Sequence, residues 1–159
     1  MNRFPLWFRN TFFALLQPGV VAGLIPYYLL RGAIEPIIKK PFGLEQIGGV
    51  VLFVVGFIIM MDCILRFAYQ GKGTLSPADP TRALVVNGLY QYSRNPMYIG
   101  VMLILAGEAI FFEQGRFWFY VIGVGLLFNL FIILVEEPRL IRDFGTAYEA
   151  YQKNVRRWV

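Results

Sequence analysis

Four long apolar runs, almost empty of charge, leave this chain few ways to fold. Residues 10–30 and 117–135 hold no charged side chain, 46–65 hold only Asp62, and 97–112 hold only Glu108. A helix needs about 20 mostly apolar residues to cross the roughly 30 Å apolar core of a bilayer, so each run predicts a membrane-spanning helix. The composition points the same way. Of the 159 residues, 57% are apolar and 17% aromatic, with the charges gathered between the runs; this is a membrane composition. The expectation is an all-α integral membrane protein with about four transmembrane helices, forming a single membrane domain over 1–159. N-terminal transmembrane helices would fill 10–67 and a functional core 68–159.

Arg3 and Arg9 ahead of the first run imitate a secretory signal, whose apolar core is about 7–15 residues long. The run here is longer, and Pro18, Gly19 and Pro26 interrupt it without a cleavage pattern. It is expected to be a retained, kinked helix. Lys and Arg set the orientation: 11 of the 15 fall at the N-terminus, in the central loop or in the tail, and only Arg31, Lys39, Lys40 and Arg116 fall on the other side. Both termini and the central loop are therefore expected to be cytoplasmic. The net charge of +5 then reads as attraction to anionic lipid headgroups, and no nucleic acid is needed to explain it.

The chain has one cysteine, Cys63, and no histidine. This excludes an internal disulfide, a Cys/His metal site and any nucleophile activated by imidazole; no metal is expected. Proton handling falls to carboxylates, tyrosines or water.

Residues 31–45 link the first two runs and carry Pro36, Pro41 and Gly43. The last two runs are joined by a few residues around Glu113 to Arg116, which predicts a tight C-terminal helical hairpin. Between the second and third runs, the polar, Gly- and Pro-rich stretch 68–95 is too long for a plain connector. It contains Gly71-Lys72-Gly73-Thr74-Leu75-Ser76, but no strand precedes it and Pro77 and Pro80 forbid a helix directly after it, so the phosphate-loop reading fails. After Pro138, Leu140, Phe144, Tyr148, Tyr151 and Val155 recur at helical spacing. They predict an amphipathic helix on the membrane or folded back over the hairpin.

Three groups could carry chemistry. Arg94-Asn95-Pro96-Met97-Tyr98 opens the third run; Pro96 suits a first helical position, and the N–H groups of that turn could meet an anion or polar ligand. Arg94 and Tyr98 could equally be interfacial anchors. Glu136-Glu137-Pro138 closes the fourth run, where two adjacent carboxylates repel each other and charge is expensive. A cationic or hydroxylated ligand would relieve them, as would plain solvation at the boundary. Asp62 and Arg66 stand four apart, as a local ion pair or facing a substrate.

Taken together, the run from Leu84 to Gly100, then Glu136-Glu137, then Phe144-Gly145-x-x-Tyr148-x-x-Tyr151 resembles the isoprenylcysteine carboxyl methyltransferase family and its relatives among membrane phospholipid methyltransferases. The likeness covers roughly residues 71–158. It implies S-adenosylmethionine as methyl donor, in a cytoplasmic pocket built from the central loop, the start of the third helix, the end of the fourth and the tail. By position, cofactor contacts would fall on Arg82, Ala83, Leu84, Val85, Tyr90, Asn95, Pro96, Met97, Tyr98, Glu136 and Tyr148, and catalytic roles on Arg94, Glu136 and Glu137. Carboxylates suit ribose hydroxyls or an ammonium, and tyrosine rings suit adenine and a sulfonium. Two positions depart from the pattern. Asn95 replaces a frequent histidine and keeps hydrogen bonding without titration. Ile132 stands where the eukaryotic enzymes carry a substrate-contacting arginine, which points away from a prenylcysteine carboxylate. The implied activity is methylation of an apolar or lipid-borne acceptor at the membrane. The alternatives are a phospholipid amine or thiol methyltransferase and a catalytically lapsed scaffold.

Overall fold

The computed structural model describes residues 18–69 and 83–159, apart from the side chain of Ala68, and in them every regular element is helical. A π-helical turn, Val20–Leu24, leads into α1 (Ile25–Lys39). α2 (Leu44–Tyr69) follows, then a short 3-10 turn, Gly88–Gln91, and α3 (Pro96–Phe111). α4 (Phe117–Phe131) continues through a second π-helical turn, Ile132–Glu136, into α5 (Glu137–Phe144), and α6 (Thr146–Asn154) closes the chain. The glycine-rich segment at 71–76, and Arg82 with it, lie outside the described residues, as do residues 1–17 of the first expected span.

Among the described residues, three helical runs are long and apolar enough to cross a membrane: Val20–Lys39, Leu44–Phe67 and Phe117–Phe144. The first extends past the uncharged run into what the sequence suggested was a linker. Glu35 and Lys39 pair at 2.6 Å across one turn and support it there. α3 has the length of the third apolar run and is short for a full crossing. Its 16 residues cover about 24 Å at 1.5 Å per residue, and Glu113, with φ 53°, ends the helical path. The outer faces of the runs are apolar and uncovered. Val51, Val54 and Ile58 on α2 and Phe119, Leu126 and Leu127 on α4 are all exposed, a pattern that suits hydrocarbon and not water.

Both π-helical turns have one cause. In each, the residue just before a proline donates its N–H five residues back, Ile25 to Val20 O and Glu137 to Ile132 O. Pro26 and Pro138 have no N–H to continue the ordinary ladder, and the chain widens by one residue to pass them.

The closest packing joins α2 to α3. A Cβ on Gly56 would lie 2.5 Å from the carbonyl oxygen of Gly100, and one on Gly49 would lie 2.7 Å from that of Gly107. Glycines seven apart on each helix thus let two antiparallel backbones touch, which is how helices associate where burial supplies no drive. Around this seam Leu30, Met60, Val101, Ile104, Leu105, Ala109, Phe117, Val121 and Val124 form the core. A smaller cluster of Cys63, Val85 and Tyr90 seats the end of the central loop on α2. Residues 112–116 carry the chain from α3 to α4 through successive turns.

The single amphipathic helix expected after Pro138 is two helices. Gly145, at φ 52° and ψ −129°, takes a conformation open essentially to glycine alone. The break lets α6 fold back, so that Tyr151 donates to Tyr90 O at 2.6 Å and Arg94 N–H donates to Arg156 O at 2.9 Å. Of the two placements the sequence left open, the tail lies back over the bundle.

Candidate functional site

Where the start of α3, the π-helical turn of α4 and the returning tail converge, they enclose a cavity of about 630 Å3. Its size lies within the usual range for small-molecule sites. Leu84, Val85, Tyr90, Arg94, Asn95, Met97, Tyr98, Glu136 and Tyr148, all singled out from the sequence, line it. Ala83 is exposed and Pro96 is buried at the helix start; neither reaches the cavity wall. Nothing in the sequence marked Phe67, Val101, Leu127, Phe128, Phe131, Arg139 or Leu140 as lining residues, nor Val20 and Val21 from the first π-helical turn. Their signal is tertiary: each looks like an ordinary apolar or boundary residue until the helices are assembled.

The widened turn at Ile132–Glu136 separates the two adjacent acids. Glu136 points into the cavity, where Tyr98 donates its hydroxyl hydrogen bond to Oε2 at 2.8 Å. Tyr98 in turn rests against Phe128, with ring centroids 4.8 Å apart. Glu137 points to the tail. Arg157 grips it with both prongs, Nε to Oε1 and Nη2 to Oε2, each at 2.9 Å, and Arg94 Nη1 lies 3.0 Å from Oε1. This is the geometry of a fork on a carboxylate. Glu137 is therefore a structural anchor for the tail, and the acid that faces the cavity is Glu136.

Asn95 is likewise committed. Its amide donates to Arg157 O at 2.9 Å, and its backbone N–H is held by the Ser93 hydroxyl at 3.1 Å. Arg94 lies between structure and site. Its side chain is only 10% exposed and paired with Glu137, yet its Nε is buried without a hydrogen-bond partner in the cavity wall. An unsatisfied buried guanidinium donor is expensive and suits an anionic ligand group.

Tyr90, Tyr148 and Tyr151 join Tyr98 and three phenylalanines in the wall. Burial pushes the first three phenols above their ordinary range, so near neutral pH they are hydrogen-bonding and stacking groups and do not serve as bases. Ile132, where a substrate arginine would stand in the eukaryotic enzymes, is fully buried in the bundle. Outside the cavity, Asp62 and Arg66 form the local ion pair, at 2.6 Å, and the guanidinium packs over Gly88. No cluster of potential metal ligands occurs among the described residues.

Comparison with curated proteins gives no match. The sequence profile for phospholipid methyltransferase matches residues 44–147, from the start of α2 through the glycine seam, the loop, both carboxylates and the break at Gly145. With well over half its length matched, the chain belongs to the phospholipid methyltransferase family.

Proposed function

We propose that the protein is an S-adenosylmethionine-dependent methyltransferase that acts in the membrane on an apolar or lipid-borne acceptor. The single observation that carries this reading is the mixed lining of the cavity. Glu136, Arg94 and four tyrosines line it together with Leu127, Phe128, Phe131 and the π-helical turn before α1, these apolar residues all lying on membrane-spanning runs. A polar cofactor and an apolar acceptor could meet there without either crossing a foreign medium.

The residues fit the cofactor. Glu136 keeps one carboxylate oxygen free of Tyr98 for ribose hydroxyls or the ammonium. The unpartnered Nε of Arg94 suits the carboxylate, and the phenol rings suit adenine and the sulfonium. When bound, S-adenosylmethionine supplies an electrophilic methyl group. The chain's own part is then alignment and exclusion of water, which the folded-back tail and the apolar wall provide. Glu136 is the lining carboxylate not committed to an ion pair among the described residues, and it is the group able to take a proton from an amine or thiol acceptor. A carboxylate acceptor would need no base.

In the bilayer, α3 is read as the fourth crossing, paired with α4, and the cavity end as cytoplasmic. The distribution of 11 basic residues against 4 supports this orientation. The test is equilibrium binding of S-adenosylmethionine to the purified protein, together with mass spectra of lipids from cells with and without overexpression. Binding, and a lipid class heavier by one methylene, are the expected results. No binding and an unchanged lipid profile would overturn the reading.

A further inference from the structure

The cavity holds one cation that the reading above does not use. Arg139 stands in its wall three residues past Glu136 on the same helical run. Its Nε is buried with no hydrogen-bond partner, and its guanidinium forms no ion pair among the described residues. The two neighbouring guanidinium groups, of Arg94 and Arg157, share Glu137. Two cations, Arg94 and Arg139, thus line the cavity with one carboxylate, Glu136. An arginine at the end of a span can reach outward to headgroups, but here the Nε is buried and the residue lines the cavity.

The proposed cofactor makes this surplus worse, because its sulfonium and ammonium outweigh its carboxylate. A neutral amine or thiol acceptor would leave Arg139 facing that positive charge where water screens little. An anionic acceptor would cancel the repulsion and give the idle donors a partner. The apolar body of such a ligand is implied by the same wall, which continues into Phe128 and Phe131 and out to Leu127, 66% exposed on the outer face of the run. Resting on the methyltransferase reading, we propose that Arg139 determines specificity by holding the anionic group, phosphate or carboxylate, of a lipid acceptor.

The test uses the full chain in zwitterionic nanodiscs and measures retention of dioleoylphosphatidate, oleate and dioleoylglycerol. Wild type should retain the two anionic lipids about tenfold better than the neutral one, the scale of a charge-assisted contact. Arg139→Gln should level the three, Arg139→Lys should keep much of the preference, and Arg142→Gln, on an exposed side chain, should leave it intact. Preference retained in Arg139→Gln, or lost equally in Arg142→Gln, would overturn the assignment. So would displacement of phosphatidate by inorganic phosphate at matched concentration, since the site would then take the free anion. S-adenosylmethionine affinity is measured on the same samples. It should stay within about twofold of wild type in Arg139→Gln, and a collapse there would make Arg139 a cofactor ligand. Failure of the wild type to bind it would count against the methyltransferase reading, while the lipid ratios still judge Arg139.

Discussion

At Glu136 the carboxylate accepts one hydrogen bond from Tyr98 and faces the cavity, while at Glu137 two guanidinium groups occupy the carboxylate completely. Opposite consequences follow for the same change one residue apart. Glu136→Gln should weaken S-adenosylmethionine binding by about 1–3 kcal/mol, the scale of a lost charged hydrogen-bond partner, with thermal stability in detergent nearly unchanged. Glu137→Gln should cost about 2–4 kcal/mol of stability, because it leaves the buried Arg94 and the part-exposed Arg157 without their counter-charge. Equal effects on calorimetric binding and on melting would remove the distinction. The sequence marked both acids as strained at a membrane boundary but could not assign them, because the division depends on the extra residue in the π-helical turn. Asn95 is a similar case: its place at the start of α3 was legible, its bond to Arg157 O was not.

Among the elements, the four apolar runs were readable because hydropathy over a window needs no partner. Their ends were not. α1 runs on through Glu35 to Lys39, and the tail breaks at Gly145. The α2–α3 seam was also hidden, since glycines seven apart matter only once two helices are laid antiparallel. Gly56→Leu should therefore be severely destabilising: its side chain would meet the carbonyl of Gly100 and the backbone of Ile104, neither of which can rotate away, and overpacking typically costs about 1–3 kcal/mol or more. Gly123→Leu, where a Cβ meets nothing within 4 Å, is the matched control in a thermal melt. At the other end of the seam, Lys40 donates to Glu113 at 2.6 Å, and Gln46 donates to the same carboxylate. The Lys40 hydrogen bond holds the Glu113 carboxyl below its ordinary range. A depressed carboxyl stabilises the fold above its unfolded pKa of about 4.3 and loses that contribution as pH falls through the lower folded value. The melting temperature should accordingly fall on acidification below pH about 4, with part of that slope absent in Glu113→Gln. An identical acid limb in both proteins would show the link to be idle.

For the whole molecule, the decisive quantity is which way the cavity faces. The tail closes the cavity through Arg94, Tyr90 and Asn95, so the side of the membrane that holds the C-terminus also holds the polar mouth. Basic residues at that end include Arg66, Arg94, Arg139, Arg142, Lys153, Arg156 and Arg157, whereas the Lys40–Glu113 end carries Lys39, Lys40 and Arg116. Short flanks rich in Lys and Arg stay in the cytoplasm, which is also where a water-soluble methyl donor would be met. A reporter fused after Val159 should therefore be active only on the cytoplasmic side, and one inserted at Gly115, in the turn before α4 where a Cβ meets nothing within 4 Å, only on the far side. The pair of fusions tests more than orientation. If both are cytoplasmic, the run between them, Phe117–Phe144, does not cross, and the arrangement of α3 and α4 as paired crossings fails. If the two are reversed, the cavity opens away from the cytoplasmic pool of the donor, and the proposed chemistry fails on access alone.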